Sequence, residues 1–124
     1  MSKFLTKLDV SLLDDTTNDG RGSWELDSDL VYQSDVAKQT ITAPKGFITD
    51  FASVPRFPIA FLLTGDSSHE AAVVHDYLYK TRIVSRAMAD SVLREACKVS
   101  GIPAWRRTLI YWGVRIGGES HFGT

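Results

Sequence analysis

Along the first half of the chain, apolar side chains alternate with polar ones. Leu8, Val10 and Leu12 share one side of an extended segment, and Trp24 with Leu26, Leu30 with Tyr32, and Ile41 with Ala43 repeat that period of two. Such alternation marks strands with one buried face. Asn18-Asp19-Gly20-Arg21-Gly22 and the Asp/Ser-rich breaks between the other segments supply residues that tolerate positive φ, so the runs read as a small antiparallel sheet. Pro44-Lys45-Gly46 predicts a further turn, and Phe47-Ile48-Thr49 a last extended run that ends at Asp50. After it, Ser53 can cap a helical turn containing Pro55, which Pro58 keeps short or irregular.

From Ser67 the period lengthens to that of helices. Between Ser68 and Lys80, the spacing puts Ala71, Val74, His75 and Leu78 on one face, with His69, Asp76 and Lys80 roughly opposite. His75 is thus expected to face the core. Ser85 can cap a second helix with the stripe Met88, Ala89, Val92, Leu93, Ala96 and Val99, which Gly101 ends, and Asp90 borders that stripe. Pro103 can open a third helix over 104–116, ended by Gly117-Gly118. Its Trp105, Leu109, Tyr111, Trp112 and Val114 cover so much of the circumference that the helix is expected to be well buried. Taken together the pattern predicts one α+β domain over 1–118, a sheet from the N-terminal half packed on about three helices, with 119–124 as a short tail.

Composition narrows the function more than the fold. At 124 residues, 44% hydrophobic and 23% charged, the chain is ordinary globular material. Fourteen basic residues against fifteen acidic ones give a formal charge of -1, so nothing draws it as a whole to nucleic acid or an anionic membrane. The aromatic residues of the third helix lie on several faces without alternating basic residues, unlike a base-stacking platform. Nucleic-acid binding is therefore not favoured. No apolar run approaches the ~18 residues of a membrane span, and the first residues lack the pattern of a secretory leader. Cys97 is the single cysteine, which precludes an internal disulfide, and it fits a small core residue better than a nucleophile.

Four segments carry a resemblance: Gly46-Phe47-Ile48-Thr49-Asp50-Phe51-Ala52-Ser53-Val54-Pro55-Arg56, His75-Asp76-Tyr77-Leu78-Tyr79, Ala89-Asp90, and Tyr111-Trp112-Gly113-Val114-Arg115-Ile116-Gly117-Gly118. Together they resemble a domain family of unknown function found in phages and in bacterial genomes. The resemblance implies a phage or prophage origin but transfers no activity. By analogy of genomic company it implies a virion-associated protein of the tail or head-to-tail region, made in the host cytoplasm. Its expected partners are other phage structural proteins and further copies of itself.

The candidate chemistry rests on Asp50, His75, Asp76 and Asp90, considered both as metal ligands and as acid/base groups. A histidine and carboxylates from two helices and a strand end could converge on a divalent metal such as Mg2+, Mn2+ or Zn2+, which would suit a small hydrolase acting on an envelope component such as peptidoglycan. The alternative is structural. His75 can be a satisfied core residue, Asp76 can pair with Lys80 and Asp90 with Arg94 as solvated helix pairs, and Asp50 can fix a turn. Ser53 and His75 as a nucleophile and base lack any recognised nucleophile turn, and N-capping accounts for Ser53 more economically. Arg115, near the end of the third helix, suits the helix dipole. The structural reading asks for no cofactor and is preferred.

Overall fold

A computed structural model describes residues 1–14, 23–49 and 69–117. Six strands precede three helices: β1 (Lys3–Phe4), β2 (Val10–Asp14), β3 (Ser23–Leu26), β4 (Leu30–Ser34), β5 (Gln39–Ala43), β6 (Ile48–Thr49), α1 (His69–Thr81), α2 (Arg86–Val99) and α3 (Ala104–Gly117). The α+β class expected from the sequence is therefore observed.

The expected single sheet is in fact two, each three-stranded and antiparallel, in the orders β1-β4-β5 and β2-β3-β6. The chain passes between the sheets from β1 to β2, from β5 to β6 and, at Asp27–Asp29, from β3 to β4. There the Asp27 amide bonds back to the Asp9 carbonyl at 2.8 Å, and an Asp29 side-chain oxygen accepts from the Lys45 amide at 2.7 Å. Alternation alone could not reveal that switch, because it specifies which face of a strand is buried and not which neighbour it pairs with.

Strands β4 and β5 form a hairpin in continuous register from Leu30↔Ala43 to Ser34↔Gln39, turned by Asp35–Lys38 with Lys38 at φ 57°. Its inward face buries Leu30, Tyr32, Ser34, Ile41 and Ala43. The turn expected at Pro44-Lys45-Gly46 is present, with Gly46 at φ 89° and its amide on the Leu26 carbonyl at 2.8 Å. Glycine suits that left-handed conformation, which costs other residues free energy.

Helix α1 packs on both sides. It contacts β4, β5 and β6 as well as α2, and every residue from Ala71 to Asp76 is buried, as are Leu78 and Tyr79. The expectation that Asp76 lies on an exposed face is thus corrected, since a helix clamped between a sheet and another helix has little solvent face to offer. Helix α2 starts as expected, the Ser85 hydroxyl accepting from the Met88 amide, and turns away through Gly101 at φ 87°. Helix α3 is the second correction: Ile110 and Val114 are buried, but Trp105, Leu109, Trp112 and Ile116 are 60%, 49%, 56% and 82% exposed. Packing on α2 covers just one of its two apolar sides.

Candidate functional site

Asp90 enters the core from the first turns of α2, and α1 and α3 aim three donors at it. His75 Nε2 lies 2.7 Å from Oδ1, the Tyr79 hydroxyl donates to the same oxygen at 2.6 Å, and Arg115 donates to Oδ2 at 2.9 Å. Helical spacing explains the convergence, since His75 and Tyr79 are four residues apart on one face of α1. Their rings also contact each other at 4.2 Å between centroids. His75, Asp90 and Asp76, which follows His75 in sequence, are all fully buried. Burial alone would raise the Asp90 carboxyl, yet the hydrogen bonds from His75 and Tyr79, the electrostatic pull of His75 and the hydrogen bond from Arg115 outweigh it and hold the group below its usual range. The acceptor is therefore a carboxylate. Burial first, then the bond and charge of Asp90, push the Tyr79 phenol well up, so Tyr79 remains a neutral donor.

The expected Asp90–Arg94 surface pair is absent from this arrangement: Asp90 bonds Arg115, and the Arg94 guanidinium instead lies 5.3 Å from the centroid of the Tyr111 ring. Arg115, read from sequence as a dipole partner, is a ligand of the buried carboxylate. The role at the end of α3 falls to Arg86, which donates to the Val114 and Arg115 carbonyls. No spacing rule could assign it, because Arg86 acts from a different helix.

Asp76 points the other way from its neighbour. Its Oδ2 accepts from the Thr49 hydroxyl at 2.7 Å and lies 3.4 Å from Lys80 Nζ. The anticipated Asp76–Lys80 pair therefore exists, but with a buried carboxylate rather than a solvated one. Lys80 in turn lies over Phe47 at 5.7 Å, and Phe47 meets Tyr77 edge-on at 5.3 Å. This second junction ties α1 to β6. Asp76 Oδ1 is buried and has no hydrogen-bond partner among the described residues. Asp50 and Ser53, with the side chain of His69, lie outside the described residues. Among those described, no three His, Cys, Asp or Glu side chains come together as a metal site.

A third junction escaped the sequence reading. Glu95 on α2 accepts from the Tyr32 and Ser34 hydroxyls, both at 2.8 Å, and from the Val36 amide at 2.9 Å. Burial, reinforced by the bond to Glu95, drives the Tyr32 phenol upward, so it stays protonated and donates. The available signal was Ser34, a polar residue at an inward position of the Leu30-Tyr32-Ser34 alternation. Cys97 is buried and its thiol is pushed up to about 12 by that burial, only partly offset by Arg106 and Arg107. This agrees with its reading as a core residue.

The sequence from 24 to 114, which holds the Asp90 donors apart from Arg115, matches the family model described as "Protein of unknown function (DUF1353)". The chain belongs to the DUF1353 family. Comparison with curated proteins and with solved structures returned no match. The matched region of this DUF1353 chain includes Asp76, Asp90 and Glu95, the acceptors at the three junctions described above. Among the described residues no helix is long and apolar enough to cross a membrane.

Proposed function

We propose that this domain is a non-enzymatic assembly protein, a structural or accessory component of a phage particle in its tail or head-to-tail region. The observation that carries the reading is the outer face of α3, where four large apolar side chains stand about half or more exposed on one helix. A patch of that kind marks a surface built to be covered. The buried polar groups support the same reading, because His75, Tyr79, Arg115 and Asp90 satisfy one another and act in holding three helices together. The phage setting rests on the resemblance of the four sequence blocks. Mass spectrometry of particles purified from a lysate of the phage or strain encoding the chain tests it: presence at fixed stoichiometry is expected, and absence refutes the assembly role.

One observation favours a second reading, a small metal-assisted hydrolase. Asp76 Oδ1 is a buried carboxylate oxygen with open lone pairs, the donor chemistry a hard cation takes, and β6 leads from its Thr49 partner directly to Asp50. Elemental analysis of protein purified without chelator, beside an Asp76→Asn variant, separates the two. Stoichiometric metal that disappears in the variant, with loss of peptidoglycan cleavage, would replace the assembly reading with the hydrolase.

A further inference from the structure

Trp105, Leu109, Trp112 and Ile116 follow one another at spacings of four, three and four, which keeps them within a narrow stripe down one side of α3. The buried Ile110 and Val114 lie on the other side. The stripe's borders are short at Thr108 and Gly113, which lets a second helix approach to the usual 8–10 Å. At its centre the Trp112 ring meets Tyr111 edge-on at 5.4 Å, and Tyr111 carries the Arg94 guanidinium on its face.

The order of the four residues identifies the occupant. Reversed and laid against itself, the stripe sets Trp105 opposite Ile116 and Leu109 opposite Trp112, so each indole meets an aliphatic side chain and no charge enters the seam. Arg106 flanks the stripe on the Gly113 side, and Arg115 on the Thr108 side, where it is bonded to Asp90 of its own chain. The area is sufficient. From the exposures of the four residues, and a whole Trp at about 250 Å², each chain offers roughly 500 Å², so two chains together reach the ~1,000 Å² at which a specific interface begins.

We infer that the occupant is a second copy of this chain, docked antiparallel along α3 about a two-fold axis between Ile110 and Tyr111. The inference rests on the assembly reading and specifies its first contact. An isologous contact of this kind closes on itself and yields a dimer rather than a filament.

Sedimentation of the full chain over a concentration series is expected to show a monomer–dimer equilibrium in the micromolar range. Leu109→Glu, an exposed position whose replacement leaves the core intact, is expected to weaken that equilibrium at least about 100-fold with an unchanged circular dichroism spectrum. Orientation is read from cysteines placed at the two ends of the stripe. Trp105→Cys mixed with Ile116→Cys is expected to cross-link, whereas either variant alone should not. In the antiparallel pair, identical positions at these ends lie about 16 Å apart along the axis, by the 1.5 Å helical rise, beyond the ~7 Å reach of a disulfide. A monomer at every concentration, a dimer indifferent to Leu109→Glu, or self-cross-linking of Trp105→Cys would each overturn the inference. Presence in particles is a separate readout, so a monomeric chain found there at fixed stoichiometry refutes the dimer and not the assembly role.

Discussion

Replacing Asp90 by alanine removes one small side chain and strands three donors. His75 and Tyr79 are fully buried, so neither can turn to water, while Arg115 is 28% exposed and regains part of its hydration. A hydrogen bond to a charged group contributes about 1.5–3 kcal/mol, and removing one member of a buried ion pair costs about 3–5 kcal/mol. Discounting the Arg115 share for solvent screening, we expect Asp90→Ala to lose about 4 kcal/mol. Against a domain stability of about 5–15 kcal/mol, that leaves the variant near the edge of folding. Urea unfolding followed by circular dichroism is the assay. With a slope of about 2 kcal/mol/M, the midpoint should fall by about 2 M. Asp90→Asn keeps the shape and one acceptor oxygen but turns an amide donor toward one of the donors, and should fall between alanine and wild type. A midpoint shift under about 0.5 M for Asp90→Ala, corresponding to less than 1 kcal/mol on the same slope, would refute the view that this carboxylate holds the three helices together.

Glu95→Ala frees the buried Tyr32 and Ser34 hydroxyls and the Val36 amide, and should cost about 2–3 kcal/mol by urea unfolding; Glu95→Gln, which keeps an acceptor, should recover most of it. Acid should weaken the domain through Asp90, whose folded carboxyl lies below its usual 3.8. As pH falls the unfolded chain takes up that proton first, so the stabilisation is complete above about pH 4 and is lost as pH drops through the folded value. Unfolding free energies measured from pH 7 down to pH 2.5 should show a shallower acid limb for Asp90→Asn than for wild type, and parallel curves would refute the assignment.

Turns, helix ends and every strand but β1 were legible because each is decided locally. Period-two alternation, a glycine at positive φ and a serine cap act within a few residues, and Gly46, Ser85 and Gly101 stand where such rules put them. His75 was legible as a core residue for the same reason, its neighbours at Ala71, Val74 and Leu78 marking the face. Partners were not legible. Asp90 finds His75 fifteen residues away and Arg115 twenty-five away, and Glu95 reaches a hydroxyl sixty-three residues away. Helical spacing proposed Arg94 for Asp90 because it sees only one helix at a time. The split into two sheets failed to register on the same grounds, since pairing is a property of neighbours that alternation does not name.

The two helices whose burial was misjudged exchange roles, and one cause explains both. Helix α1 carries His75, Asp76, Tyr79 and Lys80 in its second half, a polar content that suggests an outward face. Yet it is the central helix, because those groups are satisfied from opposite sides: Asp90 on α2 takes His75 and Tyr79, and Thr49 on β6 meets Asp76. Satisfied polar groups can be buried at little cost, so polarity by itself does not place a helix at the surface. Helix α3 shows the converse. It has apolar side chains on both sides and so suggests a central helix, but it lies at the end of the α1-α2-α3 order of packing, with α2 against its inner side. Hydrophobicity states that a face is better covered and is silent on which molecule covers it. Apolar content summed over a helix therefore does not rank helices by depth: α1 and α3 are about equally apolar along their length, and it is α1 that the packing buries.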